Sequence, residues 1–561
     1  MLFARFLAEN ALLIEPESGM DITLEDCQAL ARERRRDWLE LAAEFAQRML
    51  PQIFRMDDPT LAVALPTETQ QALEKLLKDL PGEVFAADDG LGWVYQFWQS
   101  EQKDAVNKSG KKIGADELPA VTQLFTEDYM VWFLLHNTLG AWWAGRRHPQ
   151  GIRAASEDEA RAAVALPVVT WEYLRLLKGD DGLWRPAAGT FEGWPKAAKD
   201  ITVLDPCMGS GHFLVFALPI LVAMQMQEET LPRPAAVYSV LKDNLFGLEI
   251  DPRCTQLAAF NLALAAWKLG GHQALPSLNL ACSGLAPNAR QTDWLEIAGD
   301  QEQLRNGMAR LYQLFKDAPT LGSLINPRVV GSDLLEATFH ELQPLLERAL
   351  AGESKDDTAH ELAVAAKGVT RAAEIVSGQF TLVATNVPYL GRGKQDDVLK
   401  DYCESRHPDS KADLATCFVE RCLSFCGKCG TVGLVTPQNW LFLGTYKRLR
   451  ERLFRERTWN VVAKLGPAAF QDMNWWAANT SVFAISAGRP DVHNDIAGVD
   501  VSEPHDPEQK SKLIKTVQVA VVPQSAQLKN PDARLLLTMM DSLPLLERYA
   551  DGLQGISPAD Y

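Results

Sequence analysis

The chain has 561 residues, with 73 acidic side chains against 56 basic ones, a formal charge of −17, 47% hydrophobic and 23% charged residues. This composition excludes a disordered or fibrous chain, and the acidic balance excludes a protein that coats nucleic acid by electrostatics alone, although not one with a local basic groove. The length allows three or four domains, or one large domain with additions. No apolar run approaches the roughly 18–20 residues that span a bilayer, and the start, MLFARFLAEN, lacks the pattern of a secretory signal. The nine cysteines, an odd number, read as reduced thiols of a cytoplasmic protein with no membrane partner.

Residues 1–115 read as a helical region, since apolar positions recur at helical spacing in DWLELAAEFAQRML and in LGWVYQFWQ. NKSGKKIGADE (107–117) is polar and Gly-bearing and reads as a loop or linker. From about residue 120 to 487, short β-rich runs alternate with helix-prone stretches. The runs are DITVLD (200–205), NLFGLEI (244–250), FTLVAT (380–385), TVGLVTP (431–437), WNVVAKL (459–465) and TSVFAIS (480–486). Such alternation predicts an α/β fold with a mostly parallel, doubly wound sheet. The last 70 residues are mixed and charged, without a clear final element.

In ITVLDPCMGSGHFLVFAL a strand ends at Asp205, the turn Pro206–Gly211 follows, and a helix begins. Gly209 and Gly211 would let the backbone approach a ligand at a helix N-terminus. The spacing is neither GxGxxG nor GxxxxGK[ST], which argues against a dinucleotide or P-loop site. A tight strand-to-helix turn without a ligand is the alternative. In NLFGLEID, Glu249 stands at a strand end, where a carboxylate can accept hydrogen bonds from a ribose diol or simply be solvated. The 44 residues between Asp205 and Glu249 (249 − 205) exceed the roughly 20 of a compact dinucleotide unit, and the surplus fits a helical segment near 232–243.

DPCMGSG, together with FGLEIDPRCTQLAAFNL, resembles the S-adenosylmethionine loop and ribose-binding strand of amino-methyltransferases. The resemblance implies cofactor binding by Asp205, Cys207, Gly209, Gly211 and Glu249. It extends to Asp333 in VVGSDLL, similar to the segment whose aspartate meets the adenine amino group of the cofactor. FTLVATNVPYLG ends in Asn386-Val387-Pro388-Tyr389, which resembles the NPPY signature of N6-adenine methyltransferases. The chemistry accounts for these residue types. The N6 lone pair is delocalised into the purine, and an Asn side-chain oxygen and a backbone carbonyl that accept hydrogen bonds from the two N6 hydrogens favour a more tetrahedral nitrogen with its lone pair aimed at the sulfonium methyl. The proline stiffens the loop, and Tyr389 offers a face on which an extruded base can stack. Val387 stands where proline is usual; it keeps the carbonyl and puts the loop's rigidity in question.

VTQLFTEDYMVWFLLHNTLG (121–140) resembles the family's N-terminal cofactor segment, with Phe125 and Thr126 closing over the methionine part. The resulting motif order is that of gamma-class DNA adenine methyltransferases. LGWVYQFWQSEQKD (91–104) is similar to the helical prelude of the large methyltransferases of BREX and DISARM phage defence and of fused type IIG restriction–modification enzymes. The likeness covers about residues 90–487. It implies a class I S-adenosylmethionine-dependent methyltransferase fold, Rossmann-like with a seven-stranded mostly parallel sheet, behind a helical N-terminal region. It implies methylation of adenine N6 in double-stranded DNA with the adenine extruded, with other defence-system subunits as further partners. Glutamine or RNA N-methylation, or an inactive cofactor-binding subunit, are the alternatives. The implied division is 1–115 helical, 116–487 catalytic with a helical insertion at about 285–328, and 488–561 leading into a target-recognition region that GLQGISPADY only begins, as in a truncated or split protein.

Three features remain open in the sequence. Cys422, Cys426 and Cys429 have the C-x₃-C-x₂-C spacing of radical S-adenosylmethionine enzymes, but in the methyltransferase pattern they replace buried apolar residues and a turn glycine, so no metal is expected. KRLRERLFRERTW (447–459) is either a salt-bridged helix face or a phosphate contact. Trp475 and Trp476 either pack or flank the extruded base.

Overall fold

A computed structural model describes residues 2–49, 63, 65–86, 90–122, 124–287, 290–296, 298, 302–330, 357–471 and 479–538. Asp333, Trp475, Trp476 and GLQGISPADY lie outside the described residues.

Nine strands build one sheet: β1 (Val203–Asp205), β2 (Leu245–Glu249), β3 (Asn279–Cys282), β4 (Phe380–Asn386), β5 (Cys426–Pro437), β6 (Thr458–Gly466), β7 (Thr480–Ser486), β8 (Asp495–Asp500) and β9 (Ala520–Pro523). Their order is β9-β8-β6-β7-β5-β4-β1-β2-β3. β7 runs antiparallel between β5 and β6, and β1, β2, β3, β4 and β5 pair in parallel. The run from β3 to β6 is the seven-strand sheet of a class I methyltransferase. The expected count of seven is corrected to nine: β8 joins parallel to β6 and β9 antiparallel to β8, so the sheet continues past residue 487.

The strands read as apolar runs because both faces are covered. Val203, Leu382, Val461 and Val482 enter the core on one face. Their neighbours Leu204, Val383, Val462 and Phe483 enter the core on the other, as the two-residue period of a strand requires. The first face carries helices α1 (His212–Glu229), α2 (Arg233–Asp243) and α3 (Pro252–Gly270). The second carries α4 (Asp357–Ser377), α5 (Leu414–Phe425) and α6 (Lys447–Glu456). Helix α2 falls on the segment near 232–243 expected from the spacing. Among the described residues no single helix is long and apolar enough to cross a membrane; α1 and α2 are so together, but bent by 118°.

The N-terminal helices Leu2–Glu9, Leu24–Arg34 and Trp38–Met49 share a separate core with α3. Phe3 and Phe6 meet Phe260 of α3 with ring centroids 4.8 and 6.2 Å apart. In the helix Gly90–Ser109, the apolar positions of LGWVYQFWQ do not all face the core. Val94, Phe97 and Trp98 are exposed, at 47%, 63% and 71%, and Tyr95 and Gln99 are buried instead. The stretch expected to be a linker is also bound. Ile113 is buried, and its amide donates to the Lys394 carbonyl at 2.8 Å while its own carbonyl accepts from Asp396 at 3.0 Å.

The sequence runs outward from the centre in both directions, β1-β2-β3 to one side and β4-β5 to the other. The crevice beyond the carboxyl ends of β1 and β4 is therefore a topological switch point, where open α/β sheets bind ligands.

Candidate active site

A cleft of about 990 Å³, counting its open mouth, lies at that switch point. Its floor is the turn after β1. Gly209 and Gly211 adopt φ of +52° and +89°, which L side chains rarely take. At Gly211 a Cβ would also meet the Ala258 Cβ at 3.1 Å. The left-handed turn starts α1 without a side-chain cap, so its first amides are directed toward the cleft.

Glu249, at the end of β2, is buried. Its Oε2 accepts the Gly209 amide at 2.8 Å, and its Oε1 accepts the Ile250 and Asp251 amides at 2.9 and 3.1 Å. One carboxylate thus ties the glycine turn to the adjacent strand end. Burial raises its pKa against those three hydrogen bonds. Asp205 is buried beneath the turn, and its Oδ1 accepts the Cys207 amide at 3.1 Å. Burial pushes its pKa up to about 7, against hydrogen bonds from Thr385 and Cys207. The Cys207 thiol lies 3.9 Å from the Ser323 hydroxyl. Burial drives its pKa well above the ordinary thiol value, so it is a packing group and not a nucleophile.

Phe125 and Thr126 line the same cleft. The Phe125 ring packs on His212, the first residue of α1, at 4.6 Å, and His212 Nε2 lies 3.1 Å from Asp128. Asn386, Val387 and Pro388 line the far end. Asn386 Oδ1 accepts the Tyr389 hydroxyl at 3.0 Å, and its Nδ2 approaches the Leu124 carbonyl at 3.5 Å. Tyr389 was expected to offer its ring to a base, but the cleft lining does not include it. Its ring packs against the core under α5 because the hydroxyl is turned onto Asn386. Val387 is buried, and its amide donates to the Val435 carbonyl of β5 at 3.4 Å. Proline could not make this bond, which extends the β4–β5 ladder one residue into the loop and supplies a restraint in place of the missing ring.

Sequence reasoning missed two parts of the cleft. Gly92 and Gln96 of the helix Gly90–Ser109 line it, and their signal was the polar set Tyr95, Gln96 and Gln99 at helical spacing. The segment Thr320–Leu324 forms a wall beside Ile250. Ser323 donates to the Pro206 carbonyl at 2.7 Å, and Arg421 of α5 holds the segment from behind. The buried guanidinium donates to the carbonyls of Ser323, Ile325 and Val376 at 2.7–3.0 Å. It also lies 3.6 Å from the Phe425 ring centroid. Burial lowers its pKa to about 9. Arg421→Ala would leave three buried carbonyls unpaired, and is expected to cost about 3 kcal/mol in denaturant unfolding.

The other sequence features fall away from the cleft. Cys422 and Cys426 are buried and Cys429 is exposed. The reading of GKCG as a turn is corrected, since β5 already begins at Cys426, with a register irregularity before Thr431. In the basic helix α6, Arg450 is buried on backbone carbonyls, Arg452 pairs with Glu420 and Lys447 lies 3.6 Å from Asp532. These contacts favour the salt-bridged reading over phosphate binding.

The donor set suits S-adenosylmethionine. Glu249 presents a carboxylate beside the apolar Ile250 and Leu324, as a ribose next to a flat base requires. The uncapped start of α1 offers amides for a carboxylate, and Asp205 adds an acidic group for a cationic ligand.

Residues 243–470 match the Eco57I restriction-modification methylase family. The chain is 28% identical over 447 residues to the adenine-specific methyltransferase PglX of Lacticaseibacillus casei (strain Zhang). It is likewise 28% identical over 465 residues to the adenine-specific methyltransferase BrxX of Escherichia coli O9:H4 (strain HS). Each alignment covers 78% of this chain and 36% of the relative, so the chain spans about a third of the length of the curated relatives it matches. Among solved structures, a DrdV–DNA complex aligns over 92% of this chain and 41% of that one, at 12% identity and a TM-score of 0.46. The resemblance read from DPCMGSG, QLFTEDY and NVPY is borne out: the chain is similar to restriction-modification methylases and to adenine-specific methyltransferases.

Proposed function

We infer that the chain methylates N6 of adenine in double-stranded DNA, at specific sites, using S-adenosylmethionine, in the cytoplasm of a bacterium and within a phage-defence or restriction–modification system that supplies further subunits. The observation that carries this reading is the convergence of Glu249, the turn residues Asp205–Ser210 and Asn386 on one cleft, with Gly211 just behind its lining.

When bound, S-adenosylmethionine supplies an electrophilic sulfonium methyl. Glu249 accepts hydrogen bonds from the ribose diol, and Ile250 and Leu324 give the cofactor's adenine an apolar wall, with Asp333 on its amino group. The first amides of α1 face its carboxylate, and Phe125 and Thr126 cover its methionine part and exclude water. Asn386 Oδ1 and the Val387 carbonyl would accept hydrogen bonds from the two N6 hydrogens of the target adenine, which stay on the nitrogen, and so would hold its lone pair turned out of the purine plane. Extrusion of the base costs a few kcal/mol, which contacts to the duplex must offset.

The test is incubation of the chain with methyl-labelled S-adenosylmethionine and unmethylated genomic DNA, followed by digestion to nucleosides. Label is expected in N6-methyl-2′-deoxyadenosine from the DNA. Label in protein or RNA instead would overturn the reading.

A further inference from the structure

The helix Gly90–Ser109 comes from the region expected to precede the catalytic domain, yet two of its residues, Gly92 and Gln96, line the cleft. Gly92, Tyr95, Gln96 and Gln99 stand at i, i+3, i+4 and i+7, the spacing of one helix face. Two of these contacts reach opposite walls. Gln96 Oε1 accepts the Phe125 amide at 2.6 Å, which fixes the backbone of the segment over the methionine end. The Tyr95 hydroxyl, buried, donates to Asp251 Oδ2 at 2.5 Å and accepts from Gln99 at 2.8 Å. Asp251 in turn caps α3, accepting the Arg253 amide at 2.9 Å, two residues beyond Glu249. The helix therefore spans from the ribose wall to the methionine wall. Beyond it the chain is held beside the loop after Asn386, through Ile113 and Gln395.

We propose that Gln96 and Tyr95 are positioning residues of the cofactor site, which tie the Phe125 segment and the Asp251 cap to one helix so that the cofactor is clamped between two walls set by the N-terminal region. The proposal rests on the reading of the cleft as an S-adenosylmethionine site. It makes the helix Gly90–Ser109 part of cofactor binding, whatever else the N-terminal helices do. Gln96 acts through an acceptor oxygen on a main-chain amide, so its effect follows the acceptor and not the side chain's bulk. Tyr95 acts through its hydroxyl.

The test is calorimetric titration of the full chain with S-adenosylmethionine, with thermal melting of each variant alongside. Loss of one neutral hydrogen bond that orders the site corresponds to about a five-fold rise in Kd, expected for Gln96→Leu, which keeps the length without the acceptor, and for Gln96→Ala. Gln96→Glu keeps an acceptor and is expected to bind within about two-fold of wild type. Tyr95→Phe should weaken binding about three-fold or more. Val94→Ala, on the exposed face of the same helix, should leave it unchanged. Glu249→Ala, which loses both the diol acceptor and the anchor of the glycine turn, should bind at least about ten-fold more weakly. Wild-type binding that Glu249→Ala loses and Gln96→Leu retains overturns this proposal alone. Equal weakening by Gln96→Leu and Gln96→Glu also overturns it. No binding by the wild type overturns the cofactor reading and the proposal with it.

Discussion

Asn386→Ala is expected to abolish methyl transfer, by about a hundred- to a thousand-fold in kcat, while leaving the Kd for cofactor within about two-fold of wild type. The magnitude is that of deleting one preorganised group that acts on the reacting centre. Asn386 ends β4 beside β1 and lines the cleft, and its side chain bonds to Tyr389 and, at 3.5 Å, to the Leu124 carbonyl, so its loss removes an acceptor for N6 and only one long hydrogen bond beside the Phe125 segment. The chain itself sets the orientation of the carboxamide: the Tyr389 hydroxyl donates to Oδ1, and Nδ2 faces the Leu124 carbonyl. A carboxamide oxygen has two lone pairs, so it can hold the tyrosine and still accept from a base. Two roles for Tyr389 can therefore be separated. Tyr389→Phe removes only the restraint on Asn386 and should lower kcat a few-fold, whereas Tyr389→Ala also removes the ring and should approach the Asn386→Ala loss. Normal turnover by Asn386→Ala would show that NVPY is not the catalytic loop.

The centre of the sheet was legible because its strands are buried on both faces and so appear as unbroken apolar runs. TSVFAIS and FTLVATN are of this kind, and both are strands. The edges were not. NLAC is only four residues long, too short to stand out from its surroundings. DIAGVD carries a glycine and ends in aspartates, which reads as a turn, yet its four central residues are buried between β6 and β9. An edge strand such as NLAC places weaker demands on sequence than a central one, since pairing on one side and a partial cover suffice, whereas DIAGVD pairs on both sides and is masked by its glycine and aspartates.

At the site, the strand ends and the glycine turn that border the cleft were visible in the sequence, because such turns need particular φ values and particular side chains at fixed places. The residues that hold those walls were not. Arg421 reads as one more charge on a helix, and only the fold shows that it gathers three carbonyls behind the Thr320–Leu324 wall. In the helix Gly90–Ser109 the spacing of apolar residues predicts a helix but does not say which side faces the core. It is the polar stripe that faces the protein, because that face has Asp251 and the Phe125 amide to satisfy.

Asp205→Asn is expected to raise the melting temperature of the cofactor-free chain at pH 8, and to raise it by less than half as much at pH 5, where only the unfolded carboxyl is ionised. Burial pushes the Asp205 pKa up to about 7, from an ordinary value of 3.8. A folded-state pKa above the unfolded one means that the folded chain binds the proton more tightly. The corresponding contribution to stability is fully present below about pH 4 and is lost as the pH rises through about 7. Three units at 1.36 kcal/mol each put the loss at about 4 kcal/mol. Asparagine has the same shape, keeps an oxygen for the Cys207 amide and carries no charge to desolvate, so it escapes that loss. For a chain of this size the gain at pH 8 should amount to a few degrees. Binding should move the other way. The carboxylate that is costly in the empty cleft becomes favourable when a cationic sulfonium and ammonium lie nearby, so the rise in melting temperature on adding S-adenosylmethionine at pH 8 should be smaller in Asp205→Asn than in wild type. Such an opposition between stability and binding is expected where a site holds a charge ready for its ligand. The measurement is a melting curve for each chain from pH 5 to 8.5, with and without cofactor. Wild-type and variant curves that run parallel across that range would show that Asp205 is already ionised at pH 5 and that burial does not govern its charge.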